Sequence, residues 1–139
     1  MSQSEADDYG YRGTNEGTKL KATSGWRDNE NGTDDFGFSA LPRGFRNDYY
    51  GFFANYRNNG FWWSSTTSDT NNAWNRILSD VDLSIMRTYY PKDHGISVRC
   101  VRGNLLLYFL NRYTNSDWLD SFAPWVTGKC IFNSQPAAN

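Results

Sequence analysis

The sequence predicts an α+β, mainly β domain, on three observations. Aromatic residues make up 17% of the 139 positions, with 6 Trp, 9 Tyr and 9 Phe, while hydrophobic residues reach only 38% in total. Aliphatic side chains are therefore scarce, and a helical bundle, which needs long Leu- and Ala-rich stripes, is disfavoured. Between residues 61 and 102, short runs of strand formers recur about every 10 residues, the spacing of an antiparallel meander. Clusters of Asn, Asp, Gly and Ser separate those runs, and these are turn residues. The length suits a single domain, and the aromatic content opposes disorder.

Taken in order, residues 1–18 are polar and without period, and read as loop or frayed terminus. Residues 19–37 carry the run Asp28-Asn29-Glu30-Asn31-Gly32, a loop with Trp26 as its anchor. Phe36, Phe38 and Leu41 suggest a short strand ended by Pro42. Residues 43–60 form a long stretch of Asn, Gly, Arg and aromatics. Irregular segments of that length in compact domains are functional or disordered, and the rings oppose disorder.

Clearer strands follow. Phe61–Thr67 is rich in strand formers, Ser68–Asn72 is a turn, and Ala73–Leu78 is the next strand. Val81, Leu83 and Ile85 alternate with polar residues, which predicts a third strand running on towards Tyr90. Pro91–Gly95 is a second turn, with His94 as a turn residue, and Ile96–Arg102 a fourth strand. After Gly103 an aliphatic run, Leu105–Leu110, fits either a short helix or a buried strand. It is the longest apolar run, well short of the about 18 residues of a membrane-crossing helix.

Charge narrows the partners. Fourteen basic and fifteen acidic residues are interspersed, for a net charge of −1. No basic patch exists that would release counterions from a phosphate backbone, so nucleic acid is not an expected partner. No secretory signal is visible at the N-terminus. Of the two cysteines, Cys100 and Cys130, a bond would close a loop of about 30 residues and contribute roughly 3–4 kcal/mol. The single histidine and the lack of a Cys-x-x-Cys pair disfavour a transition-metal site. Asp28, Glu30, Asp34 and Asp35 form an acidic cluster without calcium-loop spacing, so no cofactor is expected.

Five ordered blocks carry a family resemblance: Gly17-Thr18-Lys19-Leu20-Lys21, Gly37-Phe38-Ser39-Ala40-Leu41-Pro42, Phe61-Trp62-Trp63-Ser64-Ser65, Ala73-Trp74-Asn75-Arg76-Ile77-Leu78, and Gly95-Ile96-Ser97-Val98-Arg99-Cys100-Val101-Arg102. With them, residues 17–102 resemble the C-terminal part of the Fibrobacter succinogenes major paralogous domain. The resemblance implies a C-type-lectin-like fold and a bacterial extracellular or envelope-anchored module. The family's Cys-Pro…Gly-Trp block and the helix before Gly17 are missing, and with them the cysteine expected to pair with Cys100. The expected organisation is a polar leader over 1–16, a partial domain over 17–102 and an unmatched tail over 103–139, with Cys130 a candidate replacement partner.

The candidate ligand-binding residues lie in the Asn- and Tyr-rich loops. Asn47, Asp48, Asn58, Asp69, Asn71 and Asn72 supply groups suited to hydroxyl-rich ligands. Tyr49, Tyr50 and Tyr56 supply rigid amphipathic area at low entropy cost. Trp62 and Trp63 are neighbours on one strand and point to opposite faces; Trp62 is assigned to the core and Trp63 to a stacking surface, or both rings are buried on the two sides of a small sheet. Trp74, Arg76, Arg99 and Cys100 are assigned structural roles, with Arg76 paired internally to a carboxylate such as Asp82. The expected function is a non-catalytic extracellular binding module for a glycan or a protein surface. A self-associating structural domain without a small ligand is the alternative. A polysaccharide hydrolase comes third, because His94 is the only neutral-pH base and the three glutamates all precede residue 31.

Overall fold

In a computed structural model the residues described are 2–100. Residues 103–139, with Cys130, and the last two positions of the expected fourth strand lie outside them. The chain forms helix α1 (Gln3–Asp7), strand β1 (Gly10–Arg12), helix α2 (Glu16–Leu20), a 3-10 turn (Arg27–Asn29), and strands β2 (Phe45–Arg46), β3 (Phe53–Ala54), β4 (Asn59–Thr67), β5 (Asn72–Ser79) and β6 (Ile85–Pro91). Four strands make one antiparallel sheet in the order β1-β6-β5-β4, and β2-β3 is a separate hairpin. Among the described residues the protein is mainly β, with two short helices.

Register explains where the core sits. Phe61 faces Ile77 and Trp62 faces Arg76, so successive residues of β4 serve opposite faces of the sheet. On one face Trp62, Leu78 and Ile85 pack with Leu20, Trp26 and Ala40, joined by Phe38. On the other, Phe61, Ile77 and Ile96 pack with Phe45, Trp63, Met86 and Tyr90. Both tryptophans of the pair are thus used against a cluster, Trp62 fully buried and Trp63 half-buried. Trp26 anchors its loop as expected, its indole Nε1 donating to the Ala40 carbonyl at 3.0 Å.

Local chemistry sets the two helices. Ser2 and Glu5 cap α1 reciprocally: the Glu5 amide donates to the Ser2 hydroxyl and the Ser2 amide to the Glu5 carboxylate. Ahead of α2, the Glu16 carboxylate accepts from the Thr14 and Asn15 amides at 2.6 and 3.0 Å. Gly17 then lies so close to β6's lead-in that a Cβ would sit 2.4 Å from the Ser84 carbonyl oxygen.

Four expectations are corrected. Residues 1–18 are not loop: they supply α1, β1 and the start of α2. Phe36–Leu41 is not a strand; Asp34–Gly37 is a turn, and Ala40 makes one isolated bridge to Lys21. Val81–Ser84 does not begin β6, because Asp82 accepts from the Ser84 amide at 2.8 Å and bends the chain, leaving Val81 81% exposed. The alternating pattern there matched a strand that the local side-chain bond excludes. The segment after Gly95 is no fourth meander strand either. β6 already has β5 on one edge and β1 on the other, so residues 95–97 bridge instead to Arg46 and, in parallel, to Trp62.

Candidate functional site

The hairpin β2-β3 projects the chain's largest group of exposed rings among the described residues. Asn47 builds its tip: its side chain accepts from the Tyr50 amide at 2.8 Å, its carbonyl from Gly51 at 3.0 Å, and its own amide donates to the Phe52 carbonyl at 2.9 Å. These local side-chain and backbone bonds close the tip, so Asn47 shapes the loop. The turn leaves Tyr49 and Tyr50 82% and 73% exposed, with Phe52, Phe53 and Tyr56 also more than half exposed. Tyr49 meets Tyr50 edge-on at 4.6 Å, and Tyr50 stacks on Phe52 at 5.9 Å. Phe52 and Phe53 were not among the expected site residues. Their place beside the tyrosines in the irregular aromatic segment was the signal available.

The hairpin's base is fixed to the sheet. Arg46 and Gly95 exchange backbone hydrogen bonds of 2.8 and 2.9 Å. Phe45 lies parallel to the rings of His94 and Tyr90, with centroids 5.5 and 6.0 Å away, and His94 and Tyr90 are parallel at 5.3 Å. Burial raises the Tyr90 phenol above its ordinary value. Asp48 reaches within 3.3 Å of His94 Nδ1, but the approach lacks hydrogen-bond geometry and that buried nitrogen has no hydrogen-bond partner. The contact is a charge contact when the imidazole is protonated, not a directed bond.

The β4-β5 turn abuts the same segment. The Lys92 ammonium donates to the Asp69 and Thr70 carbonyls at 3.2 and 2.7 Å. The Asp69 carboxylate accepts from the Asn72 side chain and from the Asn71 and Asn72 amides, bonds that hold it below the usual carboxylate range. Asp69 and Asn72 therefore satisfy each other, while Asn71 remains exposed. Asn58 has a different setting: with its amide oriented to suit both neighbours, it accepts from Arg27 at 2.8 Å and donates to the Tyr56 carbonyl at 3.1 Å. The Arg27 guanidinium also pairs with the buried Asp80 at 2.9 Å. Asn75, fully buried on β5, has no hydrogen-bond partner for either side-chain amide atom.

The residues expected to be structural are placed as follows. Trp74 is half-buried, edge-on to Tyr89, with the Arg87 guanidinium 3.5 Å over its ring. The carboxylate near Arg76 is Asp7, at 3.7 Å, rather than Asp82, which is engaged with Ser84. Arg99 lies over Phe38 at 5.3 Å. Cys100 is not a free thiol. In the acidic loop, Asp34 accepts from the Ser39 amide and hydroxyl, which hold its carboxyl below the ordinary range. Among the described residues no three His, Cys, Asp or Glu side chains converge as a metal site, and no helix is long and apolar enough to cross a membrane.

A mainly β domain with an antiparallel sheet and a protruding aromatic hairpin is the class these features define. The chain belongs to the Fibrobacter succinogenes major domain family, which it matches over residues 1–102. The match takes in residues 1–16, the stretch whose β1 closes one edge of the sheet. No curated protein and no solved structure matches it significantly.

Proposed function

We propose that this chain is a non-catalytic binding module of C-type-lectin-like type, acting outside a bacterial cell, which holds a glycan or a protein surface on the hairpin β2-β3. The observation that carries the reading is the cluster of exposed rings at Tyr49, Tyr50, Phe52 and Phe53 on a turn closed by Asn47. Exposed apolar surface gathered in one place marks interaction sites more often than scattered exposure does. Tyrosine rings stack on sugar faces or protein surfaces with little entropy to lose. The hairpin's base is stiffened by Phe45, Tyr90 and His94, so the rings are presented on a firm support. His94, the single histidine of the chain, serves in that support. The extracellular setting rests on the family resemblance.

The test is a glycan and cell-surface array probed with the wild type and with Tyr49→Ala/Tyr50→Ala. Both rings are exposed, so the melting temperature of the double variant should stay unchanged. Its binding should fall about tenfold or more, equivalent to about 1.4 kcal/mol. Undiminished binding removes the hairpin from the site. Sedimentation over a range of concentrations separates the competing reading, self-association through the same rings: a mass that rises with concentration in the wild type, and not in the double variant, would favour it.

A further inference from the structure

We propose that Arg76 and Arg87, opposed on β5 and β6, form a binding site for an oxyanion (carboxylate, sulfate or phosphate) whose place is held by the Asp7 carboxylate of the chain's own N-terminal segment. The site lies apart from the aromatic hairpin and does not depend on the function proposed for it. The register sets Arg76 directly across from Arg87. Arg12 faces Ile85 on β1, two residues along β6 from Arg87, and so shares that face of the sheet. Like charges directly opposed across strands destabilise a sheet. Arg12 has its own carboxylate in Asp8, 3.9 Å away, so it is the opposed pair Arg76 and Arg87 that calls for an anion.

The geometry gives the anion site its donors. Arg87 is fixed with its guanidinium 3.5 Å over the Trp74 ring, and it donates to the Asp7 carbonyl. Arg12 donates to the Tyr9 and Tyr11 carbonyls. The Arg76 side chain is only 15% exposed. Burial above all, with the neighbouring Arg87 and Arg12, lowers its pKa to about 10 against the opposing pull of Asp7. A planar guanidinium held in this way offers forked donors that match an oxyanion.

Asp7 is the carboxylate that stands in this place. Its carboxylate is 3.7 Å from Arg76 Nη2 and half exposed, against the roughly 2.7–2.9 Å of a charge-assisted hydrogen bond. It competes as a tethered group, at a high effective concentration. An incoming oxyanion that closes to hydrogen-bond distance on both guanidiniums would displace it. Tyr9 and Tyr89, tilted together at 6.2 Å and both about half exposed, flank the site and would meet a ring that carries the anion.

Calorimetric titration at low ionic strength tests this, with sodium sulfate, an oligogalacturonide and a neutral cello-oligosaccharide as probes. Wild type, Asp7→Asn, Asp7→Asn/Arg87→Gln and Asp7→Asn/Arg76→Gln are compared, each first shown to be folded by circular dichroism. Removing the tethered competitor should tighten sulfate binding about fivefold or more, and either arginine substitution should abolish the gain. Since Arg76 is largely buried, the Arg87 variant keeps the test open if the other fails to fold. Tighter binding of the oligogalacturonide than of sulfate identifies an acidic glycan as the source, and equal binding a free oxyanion. Absence of saturable sulfate binding in Asp7→Asn, or equal affinity with and without Arg87, overturns the proposal.

Discussion

Lys21 takes a charged ammonium into the first cluster. It is 1% exposed, its Nζ donates to the Ser79 carbonyl at 3.1 Å, and it stands 5.0 Å over the Trp26 ring. Burial pushes its pKa below the ordinary 10.5, and Glu30, Asp80 and Asp82 offset part of that. Over the window between the lowered folded value and 10.5, the unfolded chain binds more protons than the folded one. Stability therefore rises with pH across that window, and the cost of the buried charge is present in full below it. Lys21→Met keeps the chain length over Trp26 and removes the charge. Urea denaturation from neutral pH towards 10.5 should show the wild type gaining on the variant as pH rises; parallel profiles would show that the ammonium carries no such cost. Nothing in Gly17-Thr18-Lys19-Leu20-Lys21 separates Lys19 from Lys21 in sequence, since only the return of β5 decides which one is covered. Trp26 was legible for the opposite reason: a large ring in a run of Asn, Asp and Gly has few places to go but inward.

The hairpin β2-β3 depends on one backbone position. Gly44 has φ +67, and a Cβ there would sit 2.0 Å from the Ala54 carbonyl oxygen. Left-handed backbone alone costs a side-chain-bearing residue roughly 1–2 kcal/mol, and the clash with a backbone atom adds to that. Gly44→Ala should therefore destabilise the protein by about 2 kcal/mol or more. Amide exchange should accelerate at Arg46 and Gly95, whose mutual bonds hold the hairpin to the sheet. Unchanged protection at those two amides would show that the hairpin does not rely on Gly44. Strands β4, β5 and β6 could be read directly, although the last was expected to start at Val81, because each has enough strand formers between turn residues to show a pattern. The hairpin strands have two residues each and β1 has three, too few for any period to show. Residues 43–60 were legible as an irregular aromatic segment, but their pairing was not. Similarly, the fourth meander strand failed because a residue pattern does not reveal that β1 already fills the edge of β6.

At the scale of the molecule, the sheet separates two apolar clusters among the described residues. Adjacent residues of β4 therefore answer to different parts of the structure. Phe61 lies 5.0 Å from Phe45 and 6.2 Å from Tyr90, so its cluster supports the hairpin. Trp62 lies 5.7 Å from Phe38 and shares its cluster with Leu20 and Ala40. That side is tied by the paired bonds from Ala22 to Ala40 and from Ala40 to Leu20, both 2.9 Å. Phe61→Leu and Trp62→Phe are mild volume losses, each expected to cost about 1–2 kcal/mol. Local opening follows local contacts, so their exchange patterns should differ although the two sites are neighbours in sequence. Phe61→Leu should loosen the amides of Arg46, Gly51 and Gly95, and leave Ala22 and Ala40 protected apart from the global loss. Trp62→Phe should do the reverse. Binding at Tyr49 and Tyr50 should then weaken in Phe61→Leu and hold in Trp62→Phe when both are compared below their melting transitions. If both variants loosen both sets of amides equally, the sheet transmits strain between its faces, and the hairpin has no independent support.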